Sequence, residues 1–256
     1  MNFTSFQEKC IDEGMFIFLP EVQTHHFKLM TQRVLKEFIM AYELKTLGWQ
    51  QEKFFAFADG VYVDGQFKEV NKYGIIQVDV DGDESEYLDK VKHFYSPAFS
   101  EIYKHSRDDD DPYENDRAFV YKQSPVSIEK WMKQMCLVYG KKGNTAIAFA
   151  FASIFRDFIM SRYHFFPHLF LTGEKGSGKS KYGDSIASFF TYKLEPFDLN
   201  AGTLVGFYRR LARIKNIPTF LEEYHDKIDD RMFQSIKGSF DGRGREKGQA
   251  TTDNRT

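Results

Sequence analysis

The sequence predicts an α/β protein, with a parallel sheet in its C-terminal half and a small α+β module in front of it. Two stretches of the chain carry this prediction. The apolar residues 167–172 run into a glycine-rich loop and then at once into a helical pattern, and the apolar residues 217–221 end in two adjacent glutamates. Apolar segments that alternate with helices favour strands that lie parallel in one sheet.

The composition is that of a globular protein. The chain has 256 residues, 42% of them hydrophobic and 28% charged, which supports a buried core and argues against disorder. The two cysteines, Cys10 and Cys136, lack CxxC spacing, so a disulfide scaffold or a zinc site has no support. No apolar run reaches the roughly 18 residues of a membrane span, and the N-terminus lacks a signal-peptide pattern. We therefore expect a cytoplasmic protein without a membrane partner.

The charge is unevenly distributed along the chain. Residues up to Met160 include 19 of the 35 basic and 25 of the 37 acidic side chains, a net charge of −6. From Ser161 onward 16 basic and 12 acidic residues give a net charge of +4. An anion-binding surface is therefore expected in the C-terminal third.

Residues 1–105 predict an α+β module. An apolar stripe in residues 25–49 predicts a helix that ends at Gly48. Asp-Gly pairs at 59–60, 64–65 and 81–82 then break short β-rich runs, and such pairs are hairpin signals. These signals predict a small antiparallel β module from about Gly48 to Phe99. The stripe consists of Phe27, Met30, Val34, Leu35, Phe38, Ile39 and Tyr42. The aromatic residues Phe54, Phe55, Phe57 and Tyr62 could stack on bases, although alternation along a strand favours a core role.

The middle of the chain predicts a linker and then helices. Residues 106–126 form a polar linker. The four consecutive aspartates in its first part, 106–117, lack the turn glycine of a calcium loop, so a solvated loop is expected there. A helix should start after Ser127 and close on Gly140. Residues 145–163 are apolar almost all round, which predicts a helix buried against a sheet or another helix.

The glycine-rich loop matches the pattern GxxxxGK[ST] at every required position. Its glycines would let backbone N–H groups cradle phosphates at a helix N-terminus. Lys179 would bridge the β- and γ-phosphates of ATP, and the Ser180 hydroxyl would ligate Mg²⁺. The alternative is a glycine-rich connection with an accidental lysine. The candidate nucleotide-binding residues are Gly173, Glu174, Lys175, Gly176, Ser177, Gly178, Lys179 and Ser180.

The two glutamates at the end of the second apolar stretch predict the acidic part of a hydrolytic site. Glu222 would hold the magnesium shell through water, and Glu223 would orient and deprotonate the attacking water. Together with Lys179, they are the candidate catalytic residues, and Ser180 and Glu222 are the candidate metal ligands. The alternative is an exposed glutamate pair at a strand end.

The segments around these acids predict further elements. Residues 193–199 predict an intermediate strand, residues 200–216 a helix and residues 229–240 another helix with two acids in its first turn. In the first of these helices, Leu204, Phe207, Tyr208 and Leu211 should face inward and Arg209, Arg210, Arg213 and Lys215 outward. This basic face is either a solvated surface or a contact with DNA or a subunit. In the tail, Arg243, Arg245 and Lys247 suit contacts with phosphates or a neighbouring subunit, or else a flexible end.

Taken together, residues 127–256 resemble the helicase-type ATPase portion of replication proteins from phages, plasmids and integrative elements, which are often joined to a primase. The resemblance rests on the helical lead-in, the loop FLTGEKGSGKS, the acids of IPTFLEEYHD and the segment SFDGRGREKG. It implies a P-loop NTPase core of the AAA+-like group near superfamily 3 helicases. It also implies ATP and Mg²⁺ as cofactors and a hexameric ring on single-stranded DNA. It further implies a later strand that bears a polar sensor residue, and an arginine finger contributed in trans. No further strand is predicted after the acids, so we expect the core to be C-terminally incomplete.

Two other functions remain open from the residues. A P-loop kinase would need a lid with arginines and an acceptor pocket, and its loop usually lies close to the N-terminus. A nucleotide-binding assembly or adaptor module without turnover is the other alternative.

Overall fold

The computed structural model describes residues 4, 6–8, 10, 23–36, 38–79, 91–104, 113–191 and 195–242. The chain is a mixed α/β protein that divides into two compact units, Met1–Ala41 and Tyr42–Thr256. Among the described residues, no helix combines the length and the apolar character that a membrane crossing requires. The boundary predicted between residues 105 and 127 stays a prediction.

The first unit contains helix α1 (Thr24–Leu35), which has no buried residue. The helix predicted for residues 25–49 is wrong beyond Leu35, because the chain forms the strands β1 (Ala41–Glu43) and β2 (Leu47–Trp49) there. Gly48 shows the physical reason. Its φ of +84° is left-handed, and a Cβ there would overlap the carbonyl oxygen of Lys215, which lies on a strand far along the chain.

The second unit begins with two antiparallel groups of strands. Their remaining strands are β3 (Phe55–Ala56), β4 (Gly60–Val63), β5 (Gln66–Glu69), β6 (Ile75–Asp79) and β7 (Val91–Tyr95). One sheet has the order β1-β7-β6, and the other has the order β5-β4-β3-β2-β9, where β9 (Ile214–Lys215) pairs parallel to β2. The antiparallel module predicted here is confirmed, and a strand from the C-terminal half extends it.

Two of the three predicted hairpin turns are confirmed. Asp64 and Gly65 have φ of 50° and 75° and join β4 to β5 as a two-residue turn, which is the left-handed geometry that Asp-Gly favours. At the other turn the Phe57 N–H donates to the Gly60 carbonyl at 2.8 Å. The pair at 81–82 lies outside the described residues.

The front sheets enclose a deep core. Phe54 is fully buried, and its ring meets that of Phe94 edge-on at 4.8 Å. Phe119 is buried in the same core and stacks on the Phe57 ring at 5.1 Å. The core role favoured for the aromatic residues is thus correct for Phe54, whereas Tyr62 remains 39% exposed.

Three short helical segments follow the front strands: a 3-10 turn (Pro97–Phe99), α2 (Glu101–Lys104) and α3 (Glu114–Arg117). The solvated loop predicted for residues 106–117 is wrong at its end, because α3 packs against the module. Its Arg117 Nε donates to the Ala98 carbonyl at 2.8 Å.

The helical lead-in consists of α4 (Ile128–Tyr139), α5 (Lys141–Ile154) and α6 (Arg156–Tyr163). Ser127 caps α4 and Gly140 ends it at a φ of 57°, as predicted. The apolar stretch 145–163 is not one buried helix, because the chain breaks at Phe155, which is exposed along with Phe158. Only one face of α5 is fully buried, and it carries Gly143, Ala146, Ala150 and Ser153.

The C-terminal half holds α7 (Lys179–Ala187), β8 (Phe197–Asp198), α8 (Leu204–Arg213), β10 (Leu221–Glu222) and α9 (Asp230–Phe240). The strands β8 and β10 pair in parallel, as predicted, but each has only two residues. The strand predicted for residues 167–172 forms no ladder with any described residue. The start of this segment is instead held by a hydrogen bond from the Phe166 N–H to the Phe240 carbonyl, at 2.8 Å.

Helix α8 corrects the predicted basic face. Phe207 is buried, and Leu204, Tyr208 and Leu211 pack around it as predicted. Two of the arginines expected to face outward do not. Arg213 Nε forms an ion pair with Asp116 of α3, and Arg210 Nη1 donates to the Glu195 carbonyl at 2.9 Å. Burial, and then the neighbouring Arg213, lowers the pKa of Arg210.

Candidate functional site

The glycine-rich loop has a backbone that only glycine adopts easily. Gly173, Gly176 and Gly178 have φ of 153°, 81° and 88°, all in the left-handed range. A Cβ on Gly173 would lie 2.9 Å from Ser177 Oγ across the loop, a contact that rotation of the serine side chain would relieve, so the positive φ is the constraint at this position. Glu174, Lys175 and the rest of the loop up to Gly178 are exposed to solvent.

Lys179 turns back over this loop at the start of α7. Its Nζ donates to the carbonyls of Gly173 and Glu174, each at 2.9 Å. Gly178 is the N-cap residue and offers no side-chain cap bond. The first N–H groups of a helix lack intrahelical partners and carry partial positive charge, so this end of α7 fits an anion. A phosphate would meet the Lys179 ammonium and these N–H groups together, with the exposed Ser180 hydroxyl beside them.

Aromatic side chains of the lead-in fix the position of α7. Trp131 Nε1 donates to the Ser185 carbonyl at 3.2 Å, and the Tyr139 hydroxyl donates to the Lys181 carbonyl at 3.2 Å. In the opposite direction, the Tyr182 hydroxyl donates to the Lys142 carbonyl at 2.7 Å, while Ile186 is buried between the helices. Trp131 and Tyr139 were not predicted as part of the site, because only their partners on α7 give them a role.

The predicted acids stand at the carboxyl end of β10. The Glu222 carbonyl accepts from the Leu199 N–H at 3.1 Å, and Glu222 lies in register with Asp198 of β8. Glu223 is the first residue past the strand and has a φ of 55°, which is unusual for a residue with a Cβ. Both glutamates are exposed, and neither forms an ion pair with any described residue.

Two contacts connect the segments on either side of the loop with the residues on either side of the acids. Phe170, three residues before the loop, meets Tyr224, directly after Glu223, with ring centroids 5.2 Å apart and planes at 87°. The α7 residue Gly183 also faces Phe220, and a Cβ there would lie 3.7 Å from that ring. The pairing of a phosphate loop with neighbouring carboxylates, as expected from the sequence, is therefore compatible with the local packing.

Two polar residues near the acids were not predicted. The His225 ring follows the acids, with Nε2 3.4 Å from Asn200 Oδ1. Asn200 lies in the turn that follows β8, and its N–H donates to Asp198 Oδ1 at 2.7 Å. The sequence carries no local signal for this link, because its partners come from the turns after two different strands.

The described residues contain no group of three or more His, Cys, Asp or Glu side chains that could hold a metal ion. A magnesium ion bound with a nucleotide takes most of its ligands from phosphates and water, so one hydroxyl and one carboxylate would suffice. Ser180 and Glu222 stay the candidate ligands. The tail residues Arg243, Arg245 and Lys247 lie outside the described part of the chain.

Comparisons with protein-family models, with curated proteins and with solved structures found no match.

Proposed function

We propose that the chain binds magnesium and ATP at the Gly173–Ser180 loop and hydrolyses the nucleotide with Glu222 and Glu223. The observation that carries this proposal is the loop itself, in which three left-handed glycines precede Lys179 at an uncapped helix start. Such a loop cradles phosphates through its N–H groups and its lysine.

Each residue would have a distinct role in the reaction. When nucleotide binds, the Lys179 ammonium would leave the two loop carbonyls and donate hydrogen bonds to phosphate oxygens. Ser180 would ligate the magnesium ion. The ion would neutralise charge on the phosphates during transfer. Glu222 would hold the water shell of the ion, and Glu223 would orient the attacking water and accept its proton.

We further propose that this hydrolysis drives movement along single-stranded DNA during replication of a phage or mobile element, within a P-loop core of the AAA+-like group. The resemblance of residues 127–256 supports this step. The same resemblance supports a homo-oligomeric ring, and a primase domain or protein as partner. Arg209 and Lys215 are exposed and basic, and they suit contacts with DNA phosphates.

ATP hydrolysis with and without single-stranded DNA tests this function. We expect phosphate release that rises with DNA and falls with salt, since backbone contacts release counterions. A ring motor should also assemble when ATP and magnesium are added, which size-exclusion chromatography detects. Transfer of phosphate to a small acceptor without DNA would instead indicate a kinase.

A nucleotide-binding adaptor without turnover is the second candidate. The sheet that β8 and β10 form has only two strands of two residues each among the described residues, and this small size favours it. Nucleotide binding without hydrolysis, in the presence of DNA, would select this function over the motor.

A further inference from the structure

We infer that His225 is a positioning residue for Glu223, and that its ring fixes the turn in which Glu223 leaves β10. The inference rests on the proposed function, because Glu223 matters there as the group that activates water. His225 itself would act through the backbone of Glu223 and not on the nucleotide.

The backbone of Glu223 needs such support. Its φ of 55° brings the Cβ close to a carbonyl oxygen, so an unsupported glutamate would leave this conformation. Residues persist in it where the surrounding contacts determine the backbone from both sides. On the strand side, the Leu199 N–H holds the Glu222 carbonyl at 3.1 Å.

On the other side of Glu223, the imidazole of His225 provides the contact. The Lys227 N–H donates to His225 Nδ1 at 3.0 Å, which closes the turn after the acids. Because Nδ1 accepts this bond, the ring proton lies on Nε2. That nitrogen faces Asn200 Oδ1 at 3.4 Å, and an amide oxygen is an acceptor.

Asn200 in turn is tied to the end of β8. Its N–H donates to Asp198 Oδ1 at 2.7 Å, and Asp198 lies in register with Glu222. The carboxyl ends of the two strands are thus linked by a main-chain bond before Glu223 and by the imidazole after it. Glu223 lies between these two links along the chain, so they fix its backbone and the direction of its Cα–Cβ bond.

This geometry separates binding from turnover. A general base must lie within hydrogen-bond reach of its water, and a small misplacement lowers the rate. The phosphates would contact the loop and α7, which His225 does not touch. Loss of the ring should therefore lower kcat and leave nucleotide affinity in place.

The test compares His225→Ala, Asn200→Ala and the double variant with wild type, and uses His25→Ala, on α1, as the matched control. We expect His225→Ala to lower kcat about tenfold while the Kd for ATP with magnesium stays within about twofold. Because the two side chains act through one link, the double variant should be no slower than His225→Ala alone. A wild-type kcat in His225→Ala, or losses that multiply in the double variant, would overturn the inference.

Amide hydrogen exchange separates this inference from the proposed function. Exchange over residues 221–227 should be faster in His225→Ala than in wild type and unchanged in His25→Ala, whether or not the chain hydrolyses ATP. If wild type neither binds nor hydrolyses ATP, the proposed function fails while this readout still reports on the turn. Unchanged exchange over residues 221–227 in His225→Ala would contradict the positioning role.

Discussion

The front sheets and the candidate nucleotide site differ in how deeply their residues are buried and in how long their strands are. In the front module, Phe54, Ala56 and Val61 are fully buried, and strands of up to five residues close around them. In the C-terminal half the two parallel strands have two residues each, and the loop from Gly173 to Gly178 is exposed. Apolar burial is the main source of folding stability, so the front module stabilises the chain and leaves the loop free to meet a ligand.

Strand β9 and the end of α8 join the two regions. Strand β9 pairs with β2, and Arg213 at the end of α8 forms its ion pair with Asp116 of α3. These contacts connect the helix between the two parallel strands to the stable module. The contrast between the regions can therefore be tested on each side and at the join.

The largest expected effect on stability lies in the front core. Phe54→Ala should lower the free energy of unfolding by about 3–5 kcal/mol, because it removes a fully buried ring and leaves a cavity. Urea unfolding measures this change. The matched control is Phe170→Ala beside the nucleotide site, where the ring is 62% exposed and the cost should be about 0.5 kcal/mol. Similar losses in both variants would remove the contrast between the regions.

The reverse pattern is expected for turnover. Glu223→Gln should lower kcat by about 10²–10⁴ because the amide cannot accept a proton from water, while unfolding stays close to wild type since the side chain is exposed. Steady-state phosphate release and thermal unfolding measure the two quantities. A variant that keeps its turnover would exclude Glu223 as the base.

At the join, Asp116→Ala should have an intermediate effect. The side chains of Arg213 and Asp116 are only 11% and 28% exposed, so removing the acid leaves a largely buried cation and should cost roughly 1–3 kcal/mol. Asp184→Ala is the control, because its pair with Lys181 is exposed on both sides and should contribute little. Equal unfolding free energies for the two variants would mean that the join adds no stability.

The smallest effect concerns acid sensitivity at the start of α9. The Arg231 side chain donates to the Asp229 carboxylate and lowers its pKa from 3.8 to about 2. A lowered pKa means that this carboxylate stabilises the fold above about pH 3.8, and that the contribution is lost as the pH falls toward 2. The Tm difference between wild type and Asp229→Asn should therefore shrink over this window. A difference that stays constant would contradict the assignment.

Local signals in the sequence predicted what local geometry decides. Asp64-Gly65 specified a left-handed hairpin turn, and Ser127 and Gly140 specified the two ends of α4. The glycines of the loop likewise appear where the backbone needs them.

The features that could not be predicted from the sequence depend on contacts between residues that are far apart along the chain. The sequence predicts a helix that ends at Gly48, because the strand partner of this glycine lies in distant β9. It predicts an outward-facing Arg213, either solvated or in contact with DNA or a subunit, because Asp116 is 97 residues away. The link between His225 and Asn200 joins the turns that follow two strands, and it leaves no periodic pattern in the sequence. Residues 167–172 have the apolar composition of a strand, but a strand also requires a partner for its N–H and C=O groups.

The most direct test of the central claim is equilibrium binding of ATP with magnesium to wild type, Lys179→Ala and Lys181→Ala. The Lys179 ammonium lies over the loop, whereas Lys181 is exposed and paired with Asp184. We expect wild type and Lys181→Ala to bind alike, and Lys179→Ala to bind at least about 30-fold more weakly, because the phosphates lose their charged donor. Equal affinity in Lys179→Ala, or no binding in wild type, would contradict the assignment of this loop as a nucleotide site.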